Sequence, residues 1–142
     1  MVDAGMADVY KGSCLCSAIT YELLVRPKAV SHCHCGQCRK AHGAMFASYG
    51  SVPREALRIS SGATDISAYA SSASVLREFC GRCGSTLFWS RSQGAFSDWV
   101  SVALATLDTP FDAAKHKHVH VSDEPLWYWR AHDITSDTPT PD

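Results

Sequence analysis

Seven cysteines stand in three tight clusters, Cys14-Leu15-Cys16, Cys33-His34-Cys35-Gly36-Gln37-Cys38 and Cys80-Gly81-Arg82-Cys83-Gly84. No other feature limits the fold so strongly, because each cluster commits its backbone to a local shape that can gather sulfur atoms. An odd number of cysteines, so grouped, fits a closed set of disulfides poorly. In a reducing compartment clustered thiols are more often metal ligands, since thiolates bind zinc strongly and the bound ion protects them from oxidation. Cys14 and Cys16, at i and i+2, are expected on one face of an extended backbone at the entrance to a strand. The second cluster combines an i, i+2 pair with an i, i+3 pair, so three sulfurs can converge. The third has the pattern of a zinc knuckle, in which glycines permit a tight turn and let backbone N–H groups approach the sulfurs.

Two four-coordinate sites need eight protein ligands, and the cysteines supply seven. Either another residue completes one site or that site keeps an open position. A closed four-cysteine site is structural, whereas three protein ligands with a vacant fourth position is how catalytic zinc sites are built. Spacing alone does not fix the partition: Cys35 and Cys38 could join Cys80 and Cys83 in a zinc ribbon, leaving Cys14, Cys16 and Cys33 elsewhere. Alternatively His32, His34 or His42 closes the second site and both metals are structural. A thioredoxin-like redox role for a CxxC is disfavoured, because the chain lacks βαβ alternation. Arg39, Lys40, Arg77 and Arg82 flank the clusters, where they offset the negative charge of thiolates around divalent ions.

The other residues set the frame. A chain of 142 residues makes one ordinary domain. Its formal charge of -1 speaks against nucleic-acid binding, which needs a basic excess. No apolar run approaches the roughly 18 residues that span a bilayer, which argues against a membrane protein, and the N-terminus has neither a basic start nor an apolar core. These features point to a cytoplasmic protein. Residues 1–8 and 133–142 are expected to be flexible ends around a zinc-binding domain at 9–132. Short apolar runs with period-two alternation predict a mainly β fold. Candidate strands are Ala18 to Val25, Ala44 to Val52, Ala56 to Ser60, Ile66 to Ala70, Leu76 to Phe79, Thr86 to Ser90, Trp99 to Leu104, His118 to Val121 and Trp127 to Arg130. One short helix is expected from Gly36 to His42, stopped at Gly43.

Gly12-Ser13-Cys14-Leu15-Cys16, His32-Cys33-His34-Cys35-Gly36-Gln37-Cys38-Arg39-Lys40 and Phe79-Cys80-Gly81-Arg82-Cys83-Gly84-Ser85-Thr86-Leu87-Phe88 together carry a resemblance. With them the chain resembles the glutathione-dependent formaldehyde-activating enzyme family, which includes centromere protein V. The resemblance runs roughly from Val9 to Arg130. It implies a single Mss4-like domain of the β-tent type. It also implies a structural zinc at Cys14, Cys16, Cys80 and Cys83, and a catalytic zinc at Cys33, Cys35 and Cys38. The family's activity is carbon–sulfur lyase chemistry, the reversible condensation of formaldehyde with glutathione to S-hydroxymethylglutathione. The implied partners are therefore a low-molecular-weight thiol, held as a zinc thiolate, and a small aldehyde. The competing reading is a non-catalytic zinc module of the same fold.

If a thiolate attacks an aldehyde, an acid must protonate the developing alkoxide, and His34, His42 and His118 are the candidates. His34 lies between two ligands and is expected to point away from the metal. His116, His118 and His120 are expected on one strand face. Arg39, Lys40 or Lys117 are candidates to meet the carboxylates of glutathione. Trp89, Trp99, Trp127, Tyr128 and Trp129 read as core aromatics rather than site residues.

Overall fold

The computed structural model describes residues 9–128. Where apolar side chains alternate, strands form and bury one face. Tyr21 and Leu23 go inward on β2 (Thr20–Leu23), as do Val100 and Val102 on β9 (Trp99–Ala103). The remaining strands among the described residues are β1 (Tyr10–Ser13), β3 (Lys28–Cys33), β4 (Ala47–Pro53), β5 (Leu57–Ser61), β6 (Ile66–Ala70), β7 (Val75–Cys80), β8 (Thr86–Arg91) and β10 (Lys117–Val119). The chain is mainly β, as expected, and among the described residues it has one short α-helix, α1 (Gly36–His42), at the predicted bounds.

The strands form two sheets. One has the order β1-β2-β5 and the other the order β10-β3-β4-β9-β8-β7-β6. All neighbours are antiparallel except β10 and β3, which run parallel. The core lies between the sheets: Tyr10, Tyr21 and Leu23 meet Val52, Phe88, Val100 and Val102. Burying side chains of this size stabilises by about 1.5–3 kcal/mol each. The Tyr21 ring stands edge-on to Phe88 at 5.2 Å, and its hydroxyl is bonded to Thr106 Oγ1 at 2.6 Å. Gly12 pairs with Tyr21, and a Cβ at Gly12 would run into that ring.

The outer face of the larger sheet carries α1. Thr86 Oγ1 donates to the Ala41 carbonyl at 3.0 Å, and Gln37 meets Arg77. On that face Cys33 stands beside Ala47 and Ser31 beside Tyr49. The next row runs across five strands as Lys28, Ser51, Ser101, Trp89 and Arg77.

Several sequence expectations shift. β1 and β3 were not among the candidate strands, and β10 is shorter than expected. Trp127 lies in a turn in which the Tyr128 N–H donates to the Pro125 carbonyl at 3.2 Å, so no strand begins there. Positions 129–130, like the expected flexible ends at 1–8 and 133–142, lie outside the described residues. Among the described residues no helix is long and apolar enough to cross a membrane.

Candidate metal centres

The turn after β1 and the turn after β7 place four thiols together, those of Cys14, Cys16, Cys80 and Cys83, with all sulfurs within 4.8 Å of one another. Cys14 and Cys16 sit in a tight turn rather than on the extended backbone expected. The Ser17 N–H returns to the Cys14 carbonyl at 3.0 Å, and Ser17 takes φ 65. The second turn closes in the same way, Gly84 N–H to Cys80 carbonyl at 2.8 Å, with Gly84 at φ 82. Peptide N–H groups aim at the sulfurs: Ile19 at Cys14 over 3.3 Å, Arg82 and Cys83 at Cys80 over 3.3 and 3.4 Å. Cys14 Sγ is 3.7 Å from Cys16 Sγ, and Cys16 Sγ is 3.9 Å from Cys80 Sγ. Tetrahedral zinc with Zn–S near 2.3 Å sets its sulfurs about 3.8 Å apart, so the set fits such an ion.

Charge tells the same story. The hydroxyl and backbone N–H of Ser85 hold the Cys83 thiol down to about 5. The Ala18 N–H works to lower Cys16, but lost hydration and the three neighbouring thiols push it up to about 11. Four thiolates do not coexist this closely without a cation between them.

The second group is Cys33, Cys35 and Cys38, again with all sulfurs within 4.8 Å. Cys33 ends β3, Cys35 caps α1, and Cys38 lies in the helix, where its N–H donates to Cys35 Sγ at 3.4 Å. Burial, then the Cys33 and Cys35 thiols, push Cys38 up to about 12. Burial also works to raise Cys35, but the N–H groups of Cys38 and Gln37 and the two neighbouring thiols leave it lowered. Among the described residues no His, Asp or Glu joins either group. The spacing and chemistry of this donor set fit a thiophilic divalent ion with one position left over.

Residues 9–123 match the family described as Glutathione-dependent formaldehyde-activating enzyme. The chain belongs to this family. An uncharacterized lyase of Schizosaccharomyces pombe is 32% identical over 123 residues, covering 84% of this chain and 83% of that protein. A Penicillium rubens protein named "Putative glutathione-dependent formaldehyde-activating enzyme" is 28% identical over 116 residues, 80% of this chain. The match covers 53% of the Penicillium protein, so the chain spans about half its length. The crystal structure of a Rhodobacter sphaeroides protein is similar with a TM-score of 0.60 at 25% identity, covering 76% of this chain and 98% of that chain.

Within the formaldehyde-activating family frame, the histidines divide between the two faces of the larger sheet. His34 is buried, packs against Phe46 and bonds through Nε2 to His118 Nδ1 at 2.8 Å. His32 bonds to Ser48 at 2.8 Å and to His116 at 3.0 Å, and both His32 and His116 line a cavity of about 620 Å³. His120 leaves the strand face on which it was expected, since β10 stops at Val119 and His120 takes φ 56. His42 is the one of the three acid candidates on the three-thiol side. Its Nε2 is hydrogen-bonded to the Tyr49 hydroxyl at 2.8 Å, and Tyr49 packs with Cys38 and Ala47. Burial, then the charge of Arg77, lowers the His42 pKa. Burial, then Cys38, raises that of Tyr49, so both are neutral near pH 7. Tyr49 carried no sequence signal beyond a strand aromatic.

The flanking cations take separate roles. Arg82 pairs with Asp65 at 3.0 Å beside the four-thiol group. Arg77 reaches Ser71 at 3.0 Å and Gln37 at 3.4 Å. Arg39 and Lys40 line a cleft along α1 with Trp127, which is 69% exposed rather than core. Lys117 stands opposite Ser31. Trp129 lies outside the described residues.

Proposed function

We propose that this chain is a zinc-dependent carbon–sulfur lyase-type enzyme. It would join a low-molecular-weight thiol such as glutathione to formaldehyde or another small aldehyde, and cleave the adduct in reverse. The observation that carries this reading is the three-cysteine group that no described histidine or carboxylate completes, the ligand count of a reactive rather than a closed zinc site. The family match, with relatives named as lyase and formaldehyde-activating enzyme, supports the reaction class. In this reading Cys14, Cys16, Cys80 and Cys83 hold a structural zinc. Cys33, Cys35 and Cys38 hold the catalytic one, which when bound supplies a fourth position where a thiol loses its proton. Residues 9–132 form the unit, and seven cysteines free of disulfides suit the cytoplasm.

The protein's own groups then have three tasks. Cys33, Cys35 and Cys38 fix the place of the sulfur, and bringing thiol and aldehyde together supplies most of the rate. The S–C bond forms as the carbonyl π pair moves to oxygen, and that oxygen takes a proton. The hydrogen-bonded pair of Tyr49 and His42, neutral and on the correct side of the sheet, would donate it. In the reverse direction the same pair would take the proton back. Tyr69, Ser71 and Arg77 help line the space at the other flank of α1.

Metal analysis with zinc-edge X-ray absorption, on protein purified under reducing conditions, tests the reading. Two zinc ions per chain, one gaining a sulfur neighbour when glutathione is added, is the expected result. Two ions already saturated by protein ligands and indifferent to thiol would make the chain a structural zinc module.

A further inference from the structure

Among the described strands the two sheets end at β10, β6, β1 and β5. An open strand edge is a row of unpaired N–H and C=O groups, a template for another extended chain, and proteins blunt it with charge, proline, shortness or cover. Three of these edges carry such a device. β10 is three residues long and bears Lys117. β1 is covered where the Asp108 and Thr109 N–H groups donate to the Lys11 carbonyl at 2.8 and 3.1 Å. β5 carries Arg58, which pairs with Glu22 at 2.7 Å. β6 has none of these protections. From Ile66 to Leu76 the chain contains no charged residue and no proline, and Ala68, Tyr69 and Ala70 are exposed.

The hydrogen-bond pattern fixes which groups this edge presents. β6 and β7 pair antiparallel, with Ser67 opposite Phe79 and Tyr69 opposite Arg77. Just beyond the two ends of β6, the Gly81 N–H donates to the Asp65 carbonyl at 2.7 Å and the Ser71 N–H to the Val75 carbonyl at 3.1 Å. Pairs that exchange bonds alternate with pairs that do not. Ser67 and Tyr69 therefore bond to β7, while the main-chain groups of Ile66, Ala68 and Ala70 point away from it. The Ile66 N–H is taken by the Ala63 carbonyl. The Ile66 carbonyl and both groups of Ala68 and Ala70 are left on the open edge, and among the described residues no strand pairs with them.

We propose that this edge pairs, antiparallel, with the same edge of a second copy of the chain. The groups on offer set the register. Ala68 faces Ala68 of the second copy and exchanges both main-chain bonds with it, and each Ala70 N–H donates to the Ile66 carbonyl opposite. A strand paired with itself sets like against like, which destabilises a charged edge and not this uncharged one. Ser67 then stands opposite Tyr69, and the two Tyr69 rings, each 64% exposed in the single chain, come within diagonal reach of one another. The two-fold axis of such a pair is perpendicular to the sheet, so both outer faces, each with its α1 and three thiols, lie on one side of a continuous sheet. Tyr69 also lines the space at the flank of α1 with Gln37 and Arg77, so the two flanks border the seam. Strands of five residues bury less than the roughly 1,200 Å² of a standard interface. The association is therefore weak, with a Kd between about 1 μM and 1 mM, and it does not depend on the proposed reaction.

Sedimentation of the zinc-loaded full chain under reducing conditions, from about 1 μM to about 1 mM, tests the pairing, together with backbone amide hydrogen exchange. The mass should climb from one chain toward two. The Ala68 and Ala70 amides should exchange at least twofold more slowly at the top of the range than in dilute protein. Ala68→Pro separates pairing from folding, because the Ala68 N–H bonds nothing within the chain and proline is tolerated on an edge whose N–H faces solvent. This variant should stay a single chain over the whole range and melt within a few degrees of the wild type. Ala68→Lys, which sets like charges opposite one another at an exposed position, should do the same, and it decides the matter if the proline variant does not fold. A wild type that remains one chain throughout, amides at Ala68 and Ala70 that exchange equally fast at both concentrations, or a dimer that survives in either folded variant would each overturn the assignment.

Discussion

Tyr49 packs on the thiol group, hydrogen-bonds His42 and lies beneath α1. Removing its hydroxyl separates these roles, because Tyr49→Phe keeps the packing and deletes the proton path. We expect turnover to fall on the order of 10²-fold, as loss of a general acid does, with zinc content and Tm near the wild type. His118→Asn, on the other face and bonded to His34, should change turnover little. Equal losses in the two variants would remove the Tyr49–His42 pair from the mechanism. The chain order alone named three histidines and could not rank them, because their partners are distant in sequence. His34 was expected to turn away from its flanking ligands, as neighbours in an extended segment do, and its ring meets Phe46 and His118. Tyr49 was illegible for a plain reason: a lone tyrosine in a strand looks like core until a helix is seen to cover it.

The short helix shows where element-level reading works. Gly43 stops α1 because it takes φ 59 and its N–H returns to the Arg39 carbonyl, a conformation cheap for glycine alone. Gly43→Ala should cost about 1 kcal/mol or more, and the loss should fall on the element that carries Cys38 and, through its cap, Cys35. We expect faster loss of one zinc equivalent to a chromogenic chelator, with the other unaffected; simultaneous loss of both would mean that α1 does not act separately from the four-thiol centre. β3 was missed for the opposite reason. Its bulge at Ala29 breaks the two-residue period on which strand recognition depends, and its burial runs without alternation. β1 is only Tyr10–Ser13 and contains the glycine that admits the Tyr21 ring. Period fails where a strand is bent by a bulge.

For the molecule as a whole, the two cysteine groups should differ in what they support. Cys80 is fully buried and belongs to the main core cluster, whereas Cys35 is only partly buried, at the N-terminal cap of a helix and outside that cluster. Cys80→Ala, or Cys14→Ala, should therefore abolish the cooperative melt. Cys35→Ala should melt within a few degrees of the wild type and fail to bind thiol. Equal losses in calorimetry would contradict this division. The β class was readable from alternation, but the partition of the thiols was not, since CxxC spacing permits a ribbon of Cys35, Cys38, Cys80 and Cys83. What decides it is topology: β1 belongs to one sheet and β7 to the other, and their closing turns face each other.

In the proposed reading, that placement gives the four sulfurs and the ion they would hold a role like that of a rivet. Cys16 and Cys80 lie 64 residues apart, and a permanent link across such a loop would stabilise by about 4 kcal/mol through the freedom it denies the unfolded chain. A metal joint acts in the same way but can be undone. Its strength follows the free ion around it by mass action, so a strong chelator would behave toward this protein as a denaturant, and starvation for the ion would shorten its life before it touched the chemistry.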